Sequence, residues 1–378
     1  MQSAPQNSPI DWIALTFVAG IGSRTAAMLI ERFGSPSACF EASPSMLESA
    51  GIRRESIDAL KTGDVREQAA HQLRMLEEIG GEVITLIDNR YPRLLRETFD
   101  PPIVLYATGD ITRALAQPVI AIVGSRHCST YGRNVAEMLA RELAERGITI
   151  VSGLARGIDS AAHQGALDGR GLTVAVMGTG LDSIYPKENK KLAARIVESG
   201  ALLTEFTLQS PPLPQHFPFR NRVISGIALG VLVVEGAERS GSLITARMAM
   251  EQGRDVFAVP GNITSAKSFG PNTLIKDGAK LVQTWRDVVE ELPFEIKAAI
   301  LSSERPEGSS AQLKFDEVAL SDAERAVLLI LQDDAATPID ELIAKASLAR
   351  GDLMSALLTL EMAGRIKQLP GKSFVKKL

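Results

Sequence analysis

The sequence predicts an α/β fold built on a doubly wound, parallel β-sheet of Rossmann-like type. Between residues 118 and 295, short apolar runs of strand length alternate with segments of helical periodicity. This alternation is typical of a parallel sheet that is covered by helices on both faces. The predicted strands are Val119–Val123, Ile148–Val151, Leu172–Met177, Ala201–Thr204, Leu229–Val234 and Asp255–Val259.

A small helical domain is predicted before the sheet, at residues 10–67. Its turn Gly20-Ile21-Gly22, between two short amphipathic segments, resembles a helix-hairpin-helix (SAM-like) element. The backbone N–H groups of such a turn can bind a phosphate without reading a base, although a helical bundle that contacts nothing has the same pattern. Residues 1–9 are predicted to be disordered, and the proline-bearing residues 68–117 to form an ordered connector packed on the sheet domain.

A winged-helix-like domain is predicted at residues 320–378, after a linker at 296–319. Ser321 and Thr337 are plausible helix caps, and Gly371 is suited to the turn of a basic hairpin. The third helical segment carries Asp352 and Glu361, so contact with duplex DNA, contact with a protein and simple packing all stay open. The three predicted helices are Asp322–Leu331, Pro338–Ala346 and Arg350–Ala363.

Composition limits the function classes. The 378-residue chain has a formal net charge of -4, so an anion site would need a local concentration of Lys and Arg. Cys39 and Cys128 are isolated, which suits a reducing cytoplasm and provides neither a disulfide framework nor a metal cluster. The longest apolar run, Val223–Val234, is shorter than the roughly 20 residues of a membrane span. We expect a cytoplasmic protein without a membrane span or a cofactor.

Five loops are predicted at the carboxyl edge of the sheet; the candidate residues lie in the first four, and the fifth is Glu235–Ser242. Loops there bind phosphate-bearing ligands in doubly wound sheets. No acid occurs between Glu205 and Glu235, so the arginines of the fourth loop are expected to be uncancelled. Arginines suit a phosphate backbone and phenylalanines can stack on bases, although one of the two phenylalanines is expected to pack in the core. The candidates are Gly124, Ser125, Arg126, Gly153, Leu154, Ala155, Arg156, Gly157, Lys187, Phe217, Phe219, Arg220, Asn221 and Arg222.

Several other ligands are disfavoured by the motifs. The first loop has a single glycine before Ser125, and the second strand lacks the acid that a dinucleotide-binding fold places near its end. Gly236–Gly241 has the glycine spacing of a P-loop, but Ser242 stands where its lysine must be. The histidines lack zinc spacing, and His163 is predicted to cap or pack beside its turn.

Several motifs in order resemble the bacterial DNA-processing protein A (DprA/Smf) family. They are Gly124-Ser125-Arg126 with Tyr131-Gly132, Ser152–Asp159 with Ala162-His163, Gly180-Leu181-Asp182 with Tyr185-Pro186, Phe217-Pro218 with Arg220-Asn221-Arg222, and Pro260-Gly261-Asn262. The resemblance implies a non-enzymatic homodimer that holds single-stranded DNA and loads the RecA recombinase onto incoming DNA in natural transformation. It would assign Arg126 and the Gly153–Gly157 loop to phosphates, Phe217 or Phe219 to a base, and Arg220 and Arg222 to the positive pocket.

The main alternative is a nucleotide phosphoribohydrolase of the lysine-decarboxylase-like group. The strand ending in Glu235-Gly236 and the helix beginning at Ser240-Gly241-Ser242 are similar to that group. However, Thr245 and Ala246 stand near the place where its catalytic glutamate would fall, which removes the candidate acid/base group. A transcription regulator that acts through the C-terminal domain is a third class.

Overall fold

A mixed sheet forms the centre of the chain. The computed structural model describes residues 8–62, 64–302, 320–331, 336–346, 348–369 and 371–376. The strands of the central sheet are β1 Glu82–Thr85, β2 Val104–Gly109, β3 Val119–Val123, β4 Thr149–Ser152, β5 Thr173–Val176, β6 Ala201–Thr204, β7 Gly230–Val233, β8 Asp255–Ala258 and β9 Lys280–Leu281. Their spatial order is β1-β2-β6-β5-β4-β3-β7-β8-β9.

The strand order creates a topological switch point between β3 and β7. The chain moves outward from β3 through β4, β5 and β6, and then resumes with β7 on the other side of β3. Strands β3 to β9 pair in parallel; Ile120 of β3, for example, lies opposite Ile150 of β4 and Gly230 of β7. All six predicted strands and the doubly wound fold are confirmed. A switch point at the carboxyl edge is where open α/β sheets bind ligands.

Helices cover both faces of the sheet because its strands are buried on both sides; every residue of β3 is buried. The helices are α1 Pro9–Phe17, α2 Ser23–Phe33, α3 Pro36–Glu41, α4 Pro44–Ser49, α5 Arg54–Lys61, α6 Asp64–Glu78, α7 Arg93–Arg96, α8 Ile111–Leu115, α9 Thr130–Glu145, α10 Ile158–Asp168, α11 Lys190–Ser199, α12 His216–Ile227, α13 Gly241–Glu251, α14 Phe269–Lys276, α15 Trp285–Val289 and α16 Phe294–Ser302. Two 3₁₀ turns, Lys187–Asn189 and Ala266–Ser268, accompany them.

The first five helices lie in the helical domain predicted at residues 10–67, α6 extends that domain to Glu78, and the domain packs directly on the sheet. Trp12 of α1 and Tyr106 of β2 belong to one buried cluster. The turn before α2 is braced by α5, since the Ser56 hydroxyl donates a 2.7 Å hydrogen bond to the Ala19 carbonyl. Residues 1–7 of the predicted disordered segment lie outside the described residues, and its last residue, Pro9, already begins α1.

Two predicted boundaries are wrong. Residues 68–117 are ordered and packed on the sheet domain, as predicted, but they are more than a connector, because β1 and β2 join the sheet itself in antiparallel pairing beside β6. Prolines 101 and 102 obscured β2, although its residues Val104–Ala107 are fully buried. The predicted linker at 296–319 starts too early, since α16 runs to Ser302 and buries Ile300 against the sheet domain. Residues 303–319 lie outside the described part of the chain.

The C-terminal residues form the predicted winged helix. Its elements are α17 Asp322–Ile330, β10 Thr337–Pro338, α18 Ile339–Lys345, α19 Arg350–Met362, β11 Ile366–Leu369 and β12 Ser373–Lys376. Ser321 caps α17 in a capping box with Glu324, as predicted. Thr337 does not cap α18; it pairs with Phe374 in the small sheet, and Pro338 precedes the helix instead. No helix in the described ranges is long and apolar enough to cross a membrane.

Candidate nucleic-acid interface

A cavity of about 430 Å³ opens at the switch point between β3 and β7. One wall is the loop after β3, and the other is the loop after β7 together with the start of α13. Ser240 caps α13, with its hydroxyl oxygen 3.4 Å from the Ser242 amide that donates to it. The lining thus combines the start of a helix with cations and an aromatic ring. The charged and aromatic lining residues are Arg126, Asp159, Phe217, Arg220 and Arg239.

Arg126 occupies the centre of this region. Its side chain is exposed and forms no ion pair with any described residue, and its guanidinium lies 5.3 Å from the centre of the Phe217 ring. Arg126 also lines two neighbouring cavities, of about 650 Å³ and 130 Å³. The larger adds Arg133 and Lys267, and the smaller adds Tyr185. One uncompensated cation therefore connects three concave surfaces.

The loop after β4 holds Arg126 in place through Gly157. Gly157 has φ +76, and a Cβ at this residue would lie 2.2 Å from the Ser125 carbonyl oxygen. The amide of Ile158 donates a 3.2 Å hydrogen bond to the same oxygen. Only a residue without a side chain allows this approach, so the glycine of the predicted second loop determines where the first loop lies.

Arg220 lies beneath the cavity instead of projecting into it. It is 3% exposed, and its Nη1 donates to the carbonyls of Gly153, at 2.8 Å, and Val176. Burial lowers the pKa of Arg220 to about 10, although the nearby Asp159 carboxylate acts in the opposite direction. The expectation that Arg220 is an uncancelled surface charge is therefore wrong. It positions the loop after β4 and contributes its charge to the cavity floor.

Asp159 completes this support. Its Oδ2 accepts hydrogen bonds from the amides of Gly153, at 3.1 Å, and Ala155, at 3.3 Å. Burial raises the pKa of Asp159, and Arg220 opposes that rise. Arg220 and Asp159 do not contact each other directly, but both hold the loop after β4, and the charge of each partly offsets the burial of the other.

Arg222 faces the opposite side of α12, and the expectation for it is also wrong. Its Nη2 forms an ion pair with Glu205, and its Nε lies 3.8 Å from an Asp100 carboxylate oxygen. The acid-free stretch after Glu205 concealed this pairing, because Glu205 itself neutralises Arg222. Burial raises the pKa of Glu205 to about 7 in spite of the arginine.

The remaining candidates divide by position. Gly124, Ser125, Ala155, Phe217 and Asn221 line the 430 Å³ cavity, while Gly153 and Arg156 line the smallest one. Arg156 is paired with Glu188, with Nη2 and Oε2 2.9 Å apart.

Three candidates lie away from these surfaces. The side chain of Leu154 is wholly buried, so its backbone alone is accessible. Lys187 is exposed but lines none of the three cavities. Phe219 is 44% exposed, beside Arg222, and likewise lines none of them.

The sequence reasoning missed Arg133, Arg239 and Lys267, which line the two larger cavities. Arg239 lies in the fifth predicted loop, Glu235–Ser242, after β7, so the rule that selected Arg126 after β3 would have found it. Lys267 follows β8 through a longer loop, and Arg133 lies one turn inside α9, so neither has a comparable local signal. Glu235, at the end of β7, is committed to structure, because it accepts hydrogen bonds from the amide and hydroxyl of Ser129.

His163 packs in the core, as predicted. It is fully buried, its Nδ1 lies 2.7 Å from the Thr173 hydroxyl, and its Nε2 has no hydrogen-bond partner among the described residues. Burial, with a smaller contribution from Arg220, lowers the pKa of His163 to about 3.

A pH prediction follows from His163. The pKa of His163 is lower in the folded state than in the unfolded state. The free energy of unfolding is therefore unaffected by titration of His163 above about pH 6.5 and decreases as the pH falls towards 3, because the unfolded state binds the proton first. His163→Gln should therefore show a shallower decrease in the free energy of unfolding between pH 6.5 and 4, measured by urea denaturation. The matched control is His71→Gln, at an exposed position in α6. If His163→Gln and the wild type lost stability equally as the pH falls, the lowered pKa of the buried His163 would be contradicted.

Comparison with known families identifies the chain. Residues 82–293 match the family model described as DNA recombination-mediator protein A, and residues 311–372 match the DprA winged helix domain. The chain belongs to the DNA recombination-mediator protein A (DprA/Smf) family. The family resemblance drawn from the loop motifs is thereby confirmed.

DprA/Smf relatives cover most of the chain. Protein Smf of Escherichia coli (strain K12) is 43% identical over 307 residues, which span 81% of this chain and 80% of the relative. DNA processing protein DprA of Streptococcus pneumoniae is 48% identical over 210 residues, covering 56% of this chain and 74% of the relative.

Two solved DprA structures share the fold. DprA from Streptococcus pneumoniae matches with a TM-score of 0.68 and 37% identity, covering 77% of this chain and 100% of that one. DprA from Helicobacter pylori matches with a TM-score of 0.51 and 31% identity, covering 56% of this chain and 94% of that one. The Helicobacter pylori structure is described as showing a single-stranded DNA binding mode.

Proposed function

We propose that the chain is a non-enzymatic protein that binds single-stranded DNA at the switch-point cavity. The observation that carries this proposal is the position of Arg126, an uncompensated cation 5.3 Å from the Phe217 ring where three cavities meet. A mononucleotide needs one phosphate cradle, whereas a strand needs several in succession. Phosphates can be neutralised by arginines along such a track while a base stacks on an aromatic ring.

The contacts can be assigned by chemistry. Arg126 and Arg239 face the switch-point cavity, and Arg133 and Lys267 continue the positive surface into the larger neighbouring cavity. Phe217 supplies the stacking surface beside Arg126. Arg220 acts indirectly, since its hydrogen bond to the Gly153 carbonyl holds the loop after β4 in position.

The wider role is part of the same proposal. We infer that a cytoplasmic homodimer protects incoming DNA and loads the RecA recombinase during natural transformation or homologous recombination. Relatives at 40% to 48% identity are named DNA processing protein DprA, and the matching family model carries the name recombination mediator. These names support a role in DNA handling before or during strand exchange.

A nucleotide phosphoribohydrolase is not favoured. Thr245 and Ala246, near the expected place of the catalytic glutamate, are buried residues of α13. Among the described lining residues of the cavity, Asp159 is the carboxylate, and it is occupied by two backbone amides. A group held in this way is poorly placed to transfer a proton.

Arg126→Ala tests the assignment directly. Removal of the Arg126 side chain should weaken single-strand binding by about tenfold. It should also reduce the slope of log affinity against log salt by about 0.7, the value for one phosphate contact on a single strand. The free energy of unfolding should change by less than about 0.5 kcal/mol, because the side chain is exposed. Fluorescence anisotropy and urea denaturation measure the two quantities.

The matched control is Arg113→Ala. Arg113 is an exposed arginine of α8, which follows the antiparallel strand β2 and therefore lies at the opposite edge of the sheet. It removes the same charge from the chain. Equal loss of affinity in both variants would assign the effect to net charge and contradict a site at Arg126.

A further inference from the structure

A row of aromatic side chains leads away from the switch-point cavity. The Phe217 ring, which lines the cavity, is followed along α12 by neighbours that contact one another. His216 stacks on Phe206 with ring centres 4.1 Å apart, and Phe206 lies 6.5 Å from Phe219. The row thus passes around the first turn of α12, from the cavity to the side that faces Arg222.

The row continues to Phe99, in the loop between α7 and β2. The guanidinium of Arg222 lies 4.3 Å from the Phe219 ring and also donates a hydrogen bond to the carbonyl of Asp100, the residue next to Phe99. The Arg222 guanidinium therefore links the Phe219 ring to the backbone beside Phe99. We call Phe206, Phe219 and Phe99 the aromatic row.

The Phe99 side chain is largely exposed. Its ring is 75% exposed, so it contributes little to the core, and the guanidinium of Arg24 lies 4.2 Å from its centre. Arg24 is the second residue of α2 and forms no ion pair with any described residue. An aromatic ring beside an uncompensated cation is also the arrangement of the half-buried Phe217 and Arg126 at the cavity.

The charges between the Phe217–Arg126 pair and the Phe99–Arg24 pair favour the binding of bases over the binding of phosphates. Arg222 is neutralised by Glu205, and Asp100 lies beside it, so the middle of the row has no surplus positive charge. Aromatic rings stack on any base without needing a cation. The chemistry therefore fits unstacked bases along the row and a phosphate at each end.

We propose that the aromatic row is a second contact region for single-stranded DNA, which receives the bases of a strand that extends beyond the cavity and ends at Arg24 on the helical domain. This inference rests on the proposed function, because the cavity supplies the first contact. It also gives the helical domain a role in DNA binding through Arg24 and Phe99, without requiring its hairpin turn.

The test compares two oligothymidines, one of about 6 nucleotides that fills the cavity and one of about 20 that can reach Phe99. Phe99→Ala should lower the affinity for the long strand roughly 5- to 150-fold, the effect of one lost base-stacking contact, and leave the short strand unchanged. Its salt slope should stay constant, whereas Arg24→Ala should reduce the slope for the long strand by about 0.7.

The control is Phe294→Ala, which removes a ring that is 79% exposed on α16. Unchanged long-strand affinity in Phe99→Ala, while the wild type binds both lengths, would overturn the aromatic row alone. Equal weakening of the short and long strands would also overturn it. Failure of the wild type to bind either strand would instead refute the proposed function.

Discussion

Gly157→Ala is expected to reduce single-strand affinity at least as much as removal of the Arg126 side chain. A Cβ at this position would lie 2.2 Å from the Ser125 carbonyl oxygen and 2.9 Å from backbone atoms of Arg126. These are backbone contacts, so the loop after β3 must move and carry Arg126 with it. With the added strain of φ +76, we expect a cost of about 2–5 kcal/mol in the free energy of unfolding.

The matched control for this prediction is Gly253→Ala. Gly253 has φ +69, and a Cβ added there would meet nothing within 4 Å, so it shares the backbone conformation without the contact. Gly253→Ala should lower the free energy of unfolding by about 1 kcal/mol and keep the wild-type affinity for single-stranded DNA. Gly157→Ala with normal anisotropy titrations would show that the contact between the two loops does not position Arg126.

Arg220→Met should be the most destabilising change at the site, at about 3–5 kcal/mol in urea denaturation, because it leaves Asp159 buried without its opposite charge. The carbonyls of Gly153 and Val176 also lose their shared donor. Since Arg220 holds down the pKa of Asp159, its removal raises that pKa further. A raised carboxyl pKa costs stability as the pH rises, so the deficit should be larger at pH 8 than at pH 5.5.

The double variant Asp159→Asn/Arg220→Met isolates the charge. An asparagine oxygen can still accept from the backbone amides but carries no charge, so the double variant should be more stable than Arg220→Met at pH 8. The difference between the two should become smaller as the pH falls, because protonation of the Asp159 carboxyl removes its charge. If the loss of stability in Arg220→Met did not depend on pH, the proposed influence of the Arg220 charge on Asp159 would be contradicted.

The sequence was sufficient for features that depend on local patterns. The strands from Val119 to Val259 are continuous apolar runs, and the loops after β3 and β4 follow them directly, so the fold and the position of Arg126 were predictable. Strand β2 was not, because two prolines precede it and its partner β6 lies about 90 residues away along the chain.

The errors at the site arise from side-chain direction. Arg220 and Arg222 are two residues apart on α12, so they point to different sides of the helix. One is taken up by carbonyls beneath the cavity and the other by Glu205. Counting charges along the chain cannot reveal either contact, whereas Arg126 stayed predictable because its loop exposes it.

The most direct test of the central claim is fluorescence-anisotropy binding of a labelled oligothymidine and of the matching duplex over a salt series. We expect tighter binding of the single strand, with a log affinity that falls linearly as log salt rises, by about 0.7 for each phosphate contacted. Weak and equal binding of the two forms, or single-strand binding that does not respond to salt, would contradict a strand-binding track centred on Arg126.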